Sequence, residues 1–262
     1  MSDADPMNGS GRGRQAAQSA RTSLQSASLP KRFYTSVSVE EKTIGDGCRV
    51  VLDGRPVRTP KKNFLALPTR ALAEAVAAEW DAQTAHIDPA TMPLTRLANT
   101  ALDGVSGREA DVQADIVRYA GNDLLYYRAE HPQGLVRRQS EQWDPILDWA
   151  RDVLGGAFVV QRGVMPVTQP ASTLDALARI LPLAPFDLAA LHVMTTLMGS
   201  ALLAWAVRAH RLDVEAAWAA AHVDEDWQIE KWGADDEATA RRAHRFTEMA
   251  AAEHFRTLVL RG

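Results

Sequence analysis

The sequence predicts an α+β protein, in which a small N-terminal antiparallel sheet with packed helices precedes a C-terminal all-α orthogonal helical bundle. Strand patterns and turn dipeptides are concentrated between residues 32 and about 68. After about residue 107, nearly every stretch has the 3.6-residue periodicity of an amphipathic helix. A chain of 262 residues can bury a sizeable core in one large domain or two small ones. We therefore expect an α+β domain over residues 31–106 and a helical domain over residues 107–262.

Residues 1–30 are expected to form a disordered tail. The segment is rich in Ser, Gly, Ala and Gln and has almost no large apolar side chain, so it cannot bury enough surface to order itself. It has no apolar run of signal-peptide length. Its arginines resemble those of a mitochondrial presequence, but Asp3 and Asp5 argue against one, because such presequences contain few acidic residues.

Turn chemistry defines the predicted sheet. The dipeptides Asp46-Gly47 and Asp53-Gly54 flank the β-rich run CRVVL, a pattern typical of hairpins. Alternating residues in FYTSVSVEE predict a strand before this run, and FLALP predicts a short strand after it. These segments together predict a small antiparallel sheet.

The helix that follows the sheet has a clear start and a clear apolar face. Thr69 is a favourable N-cap, and Leu72, Val76 and Trp80 then recur every four residues. This spacing predicts that one face of the helix is buried against the sheet and that Trp80 is a core residue. The run LTRLANTALDGV predicts a second helix after two prolines.

The most apolar stretch, residues 186–210, has the length of a membrane span. Asp187 and His192 interrupt its first half, however, and its continuous apolar part covers only residues 197–207. A helix buried in the protein core fits this pattern better than membrane insertion. Elsewhere in the helical part, AFVVQRGVMPVTQP could form a short hairpin.

Composition and motifs argue against several functions. A net charge of −4 argues against nucleic acid as the main partner. The single cysteine, Cys48, excludes an internal disulfide and a cysteine-based metal cluster, and we expect it to be a small buried side chain. The chain has no G-x-S-x-G, G-x-G-x-x-G, P-loop or H-E-x-x-H motif.

Residues 222–238 concentrate acidic side chains and tryptophan. Seven acids, opposed only by Lys231, accompany Trp227 and Trp232. His222 and Glu225 would share a helix face and, with Asp226, could form a metal site. A hydrolase that uses an Asp/Glu cluster at residues 222–237, with or without a metal, is therefore one alternative for the function.

The same stretch has a second interpretation as a binding surface. Glu225, Gln228 and Trp232 are spaced to line one face of a helix that Gly233 would end. Asp235 or the residue after it could cap the next helix. A carboxylate, an amide and a large indole on one face are typical of a binding patch. The alternative is that Trp232 belongs to the core and that the acids form a solvated face.

Several motifs then resemble one family. They are KRFY, DGRPVRTP, LALPT, AEAVAAEWDAQ, MPLTRLANTALD and DEDWQIEKWGADDEA, in this order, from about Lys31 to the C-terminus. They are similar to the chaperones that assemble the catalytic head of F-type ATP synthase, and specifically to those that receive the newly made alpha subunit.

The resemblance implies a two-domain protein without catalysis and without a cofactor, which binds the free alpha subunit and prevents its aggregation until the beta subunit displaces it. It assigns client binding to Glu225, Gln228, Trp232 and Gly233. Trp80 and Arg96 also lie in family motifs, and we expect structural roles for them. The expected protein is a monomer with no nucleic-acid partner and no membrane insertion. It would lie in the bacterial cytoplasm, or in the mitochondrial matrix of a eukaryote. A structural helical domain docked permanently in a complex is a further alternative.

Overall fold

The computed structural model describes residues 29–41, 47–163 and 165–261 and confirms the α+β class. Most of the predicted tail, residues 1–28, lies outside the described residues, as does Asp46 of the first predicted turn. The first described residues are already hydrogen-bonded to the rest of the fold. The carbonyl of Pro30 accepts a hydrogen bond of 2.8 Å from the amide of Ile87.

The predicted sheet is confirmed. Strand β1 (Val37–Glu41) pairs antiparallel with β2 (Cys48–Leu52), and β2 also pairs with the short strands β3 (Arg55–Pro56) and β4 (Ala66–Leu67). Asp53 and Gly54, with φ angles of 45° and 77°, form the tight turn between β2 and β3. Cys48 is buried, as expected.

One helix packs on the sheet, and a second helix packs against the first. Helix α1 (Arg70–Asp81) begins where the Thr69 hydroxyl accepts a hydrogen bond of 3.2 Å from the amide of Leu72. Helix α2 (Pro93–Thr100), which continues into a π-helical turn at Ala101–Val105, begins at the carboxylate of Glu79. Glu79 thus accepts hydrogen bonds from backbone donors that would otherwise be unpaired at a helix N-terminus.

Trp80 is only partly buried, which corrects the prediction of a core side chain. Residues four apart on an α-helix drift by about 40° at each step, so the third member of the series turns away from the face that holds the first. The indole still packs on Tyr34, with ring centroids 5.9 Å apart. The Tyr34 hydroxyl donates a hydrogen bond of 2.6 Å to the carbonyl of Trp80.

The rest of the described chain is mainly helical. Its helices are α3 (Glu109–Gly121), α4 (Gln133–Leu154), α5 (Ala171–Ile180), α6 (Pro185–Met198), α7 (Ala201–Arg208), α8 (Val214–Ala221), α9 (Val223–Trp232) and α10 (Asp236–Val259). The hairpin expected near residue 160 is wrong: β6 (Gln161–Arg162) pairs in parallel with the distant β5 (Tyr127–Arg128).

The apolar run at residues 186–210 lies in the core, as predicted, but forms two helices. Gly199, with a φ of 68°, ends α6, and the Ser200 hydroxyl caps α7. Seven residues in a row, Ala201–Val207, are buried in α7. Within the described ranges no helix combines the length and the apolar composition of a membrane span.

Helix α10 connects the C-terminal helices to the N-terminal helices α1 and α2. Near its C-terminal end, the carbonyl of Leu258 accepts a hydrogen bond of 2.8 Å from the Thr69 hydroxyl. Arg96 of α2 forms an ion pair of 2.6 Å with Glu248 of α10, which is a structural contact of the kind expected for Arg96. Buried apolar residues form one cluster from Tyr34 to Leu258. The domain boundary near residue 106 stays a prediction.

Candidate functional site

A groove of about 750 Å³ opens between α8, α9 and the N-terminal half of α10. Its lining residues are Glu215, Trp218, Ala219, Glu225, Gln228, Ile229, Trp232, Gly233, Asp235, Ala238, Thr239, Arg242, Ala243 and Phe246. Most of these side chains are apolar or small, and the charged ones are Glu215, Glu225, Asp235 and Arg242. The groove is therefore an apolar surface with charged groups along it.

Helix α9 is held in place by α4 through one of its faces. The Gln139 side chain donates a hydrogen bond of 2.7 Å to Asp224, and Arg138 forms an ion pair of 2.6 Å with Glu230. The Trp227 indole lies against Gly134, where an added Cβ would meet the ring at 2.5 Å. Glycine at position 134 thus allows α9 to approach α4 closely.

The opposite face of α9 carries the four residues predicted from the sequence. Glu225, Gln228, Trp232 and Gly233 all line the groove, so the structure brings them together on one surface. Trp232 is 83% exposed, and the interpretation of it as a core residue is therefore wrong. Gly233, with a φ of 91°, ends the helix and leaves the indole at its tip.

Most acids of this stretch have fixed partners inside the molecule. Asp226 forms an ion pair with Arg242, Asp235 caps α10 by accepting a hydrogen bond of 2.7 Å from Ala238, and Glu237 pairs with Arg241 at 2.5 Å. Hydrogen bonds from Lys231 and Arg138 lower the pKa of Glu230 to about 2. These carboxylates serve the local structure, which explains part of the acidity of the stretch.

Glu225 differs from its neighbours. Its side chain is 60% exposed, and its nearest basic group is the His222 ring, whose Nε2 lies 4.0 Å from the carboxylate. The Nδ1 of His222 is 2.7 Å from the carbonyl of Trp218, which can only accept, so Nδ1 carries the proton. Burial lowers the pKa of His222, which keeps the ring neutral near pH 7. Arg241, Arg242 and Arg245 line a cavity beside Glu225, but each of them has another partner. Within the described chain, Glu225 therefore has no ion pair with Lys or Arg.

The structure brings together only two of the three residues of the metal-site alternative. The Nε2 of His222 lies 4.0 Å from the carboxylate of Glu225, whereas Asp226 forms an ion pair with Arg242. Among the residues that the structure places, His, Cys, Asp and Glu side chains nowhere form a group of three or more that could hold a metal ion. The seven acids are thus spread over separate contacts and do not converge on one reaction centre.

The floor and the outer wall of the groove were not predicted from the sequence. Trp218 of α8 and Phe246 of α10 form its floor, with ring centroids 5.6 Å apart. Ala238 and Ala243 of α10 are exposed and line its outer wall. The first three turns of α10 contain several alanines and few large apolar residues, and such a segment buries little of its own surface. This composition was a signal in the sequence for an uncovered wall.

Comparisons with known proteins agree on one family. Residues 31–151 match the family model described as ATP12 chaperone protein. The protein atp12, mitochondrial, of Schizosaccharomyces pombe is 23% identical over 202 residues, which cover 72% of this chain and 69% of that protein.

Solved structures extend the match over the helical part. Atp12 from Paracoccus denitrificans is 44% identical with a TM-score of 0.81, over 88% of this chain and 98% of that one. A point mutant of the same protein gives 43% identity, the same TM-score and the same coverage. The Atu1473 protein of Agrobacterium tumefaciens is 44% identical with a TM-score of 0.84, over 98% of this chain and 92% of that one. This chain belongs to the ATP12 chaperone family.

Proposed function

We propose that this chain is an assembly chaperone for the catalytic head of F-type ATP synthase. It binds the free alpha subunit and prevents its aggregation until the beta subunit displaces it. Membership of the ATP12 family, which acts in ATP synthase assembly, supports the process. We place the protein with its client, in the cytoplasm of a bacterium or the mitochondrial matrix of a eukaryote, and propose that it acts as a monomer.

One observation supports the groove as the client-binding surface. Trp232 is 83% exposed at the end of α9, beside a groove with an apolar floor. Large apolar side chains that stay exposed next to an apolar depression are typical of protein-binding sites. The indole would be covered when a client occupies the groove, and its burial would supply a large part of the affinity.

The four residues on the α9 face would have different roles. Trp232 supplies apolar area, and Gln228 supplies a hydrogen-bonding amide beside it. Glu225 supplies a charge that has no ion pair with Lys or Arg within the described chain and attracts a cationic group of the client. Gly233 acts through the backbone, because its φ of 91° ends α9 and leaves Trp232 exposed.

A groove of this size suits a chaperone that must release its client. The lining residues come from three short helical segments, so the contact area is modest. A small interface with one aromatic anchor can be specific and still exchange, whereas a large apolar interface would dissociate slowly. The beta subunit could then displace the chaperone by covering the same client surface.

The test uses the purified full chain with separately produced alpha and beta subunits. Light scattering of heated alpha subunit should fall when the chain is present, and addition of beta subunit should release the chain from the complex. Suppression for the alpha subunit alone, lost in Trp232→Ala, supports the proposal. Equal suppression for an unrelated aggregating protein would contradict the specificity, and a complex that persists after beta subunit is added would indicate a permanent structural component instead.

A further inference from the structure

The walls of the groove are made entirely of helices and the turn that joins two of them. Every lining residue belongs to α8, α9, α10 or the connection at residues 233–235. No strand edge lines it, so its surface consists of side chains. An extended peptide in this groove would leave backbone N–H and C=O groups without partners, whereas a helix satisfies its own. The backbone chemistry therefore favours a helical occupant.

The outer wall allows a helix to approach closely. Ala238, Thr239 and Ala243 present small side chains along one side of α10. Across the groove, Ile229 and Trp232 provide large apolar groups at exposed positions of α9. Helix α9 packs on α4 and is joined to α10 by the ion pair of Asp226 with Arg242, and the groove opens beside this bridge. Ten residues of α9 extend over about 15 Å, which matches roughly three turns of a partner helix.

The charged residues of the groove indicate which side chains a bound helix would carry beside its apolar stripe. In the described part of the chain, the side chain of Glu215 has no hydrogen bond and no ion pair. Glu225 lies 4.0 Å from the neutral His222 and shares a cavity with Arg241, Arg242 and Arg245, none of which forms an ion pair with it. Arg242 is already neutralised by Asp226. The groove thus presents two carboxylates without cationic partners, and Lys or Arg on the occupant would complement them.

We propose that the groove binds an amphipathic helix of the client, with an apolar stripe between α9 and α10 and with Lys or Arg beside that stripe. This inference rests on the function proposed above, since it takes the alpha subunit as the client. It adds the conformation and the side-chain chemistry of the client segment that the groove recognises.

Site-specific cross-linking to intact alpha subunit tests the conformation. The photoreactive residue p-benzoylphenylalanine is placed at position 228, 232 or 243 of the full chain, and the linked alpha-subunit residues are mapped by mass spectrometry. We expect links within one client segment at spacings of three, four and seven residues, with Lys or Arg within one turn. Links at every second residue would overturn the proposal, because they indicate an extended segment. Links spread over several distant segments would overturn it as well.

Two exposed alanines of α10 provide a matched pair of variants. Ala243 lines the groove and Ala240, one turn away, does not. Ala243→Trp should weaken alpha-subunit binding by at least about tenfold, because it fills the space for the helix, and Ala240→Trp should change binding by less than about twofold. Equal effects of the two substitutions would overturn the proposal, and circular dichroism of both variants verifies the fold.

The outcomes separate this inference from the proposed function. If the alpha subunit does not bind the chain at all, the proposed function fails and the inference fails with it. If it binds and Glu225→Lys weakens binding, but the links have a period of two, only the helical occupant is wrong. Removal of residues 1–28 tests an occupant from the same chain. A gain of about tenfold in alpha-subunit affinity, lost again in Ala243→Trp, would assign the groove to that segment and overturn the proposal.

Discussion

Glu225→Lys should separate folding from client binding. The carboxylate is 60% exposed, accepts no hydrogen bond within the described chain and lies 4.0 Å from the neutral ring of His222. Substitution therefore breaks no hydrogen bond and no ion pair with Lys or Arg, and it loses only a carboxylate from the first turn of α9, where an acidic side chain is favourable. We expect a change in the free energy of unfolding of no more than about 1 kcal/mol.

The effect on binding should be larger. Two unit charges 4 Å apart interact by about 1 kcal/mol even at the dielectric constant of water, and by about 4 kcal/mol near a protein surface. Charge reversal loses the attraction and adds a repulsion of similar size, so a client cation about 4 Å away gives a change of about 2 kcal/mol at low salt, or roughly thirtyfold in Kd. Glu225→Gln loses the attraction alone and should have about half the effect on the binding free energy.

The assay measures the melting temperature and the alpha-subunit Kd for both variants and for a control. Glu141→Lys reverses an equally exposed charge on α4, outside the groove, and should leave both quantities unchanged. A stable Glu225→Lys protein that binds the alpha subunit as tightly as the wild type would refute the assignment of Glu225. If Glu225→Lys and His222→Ala both abolished binding of a divalent ion, the metal alternative would replace it.

Three further substitutions test the structure, one beside the groove and two elsewhere in the fold. Gly134→Val should displace α9, since an added Cβ already meets Trp227 at 2.5 Å, and we expect a loss of about 1–3 kcal/mol in stability together with weaker client binding, measured by melting and titration. Trp80→Arg should cost about 2–3 kcal/mol in chemical denaturation, because it removes the packing on Tyr34, and unchanged stability would show that this packing does not stabilise the fold. Asp123, which follows α3, is fully buried and accepts a hydrogen bond of 3.0 Å from the amide of Leu202 in α7. Burial raises the pKa of Asp123 from 3.8 to about 6, so the folded state binds its proton more tightly than the unfolded state. Relative to Asp123→Asn, the wild type should therefore gain up to about 3 kcal/mol as the pH falls from 7 to 4, and a constant difference over this range would contradict the raised pKa.

The α9 face could be predicted because its signals are local. The spacing of Glu225, Gln228 and Trp232 follows from helical geometry, and Gly233 and Asp235 are the residue types that end one helix and begin the next. All of these residues lie between Glu225 and Asp235, within about three helical turns of one another. The structure adds that Trp232 is exposed, which spacing alone leaves open, because an apolar residue on a helix face can contact the core or a partner.

Contacts between distant segments could not be predicted in the same way. The floor of the groove joins Trp218 and Phe246, and each of them resembles an ordinary core residue in its own helix. The parallel pairing of Tyr127 with Gln161 has no local turn signal, since parallel strands need no tight connection. The division of the apolar run at Gly199, in contrast, had a local sequence signal, because the glycine is followed by a serine that caps α7.

The anchoring of α10 determines when the groove can form during synthesis. Its N-terminal half is one wall of the groove, while Leu258 near its other end is bonded to Thr69, 189 residues earlier in the chain. Helices α3 to α5 can begin to fold as they leave the ribosome, but the C-terminal end of α10 reaches Thr69 only after the chain has been translated to about residue 260. A nascent chain that ends before α10 exposes Trp232 without the wall opposite it, and the groove is complete only once α10 has docked.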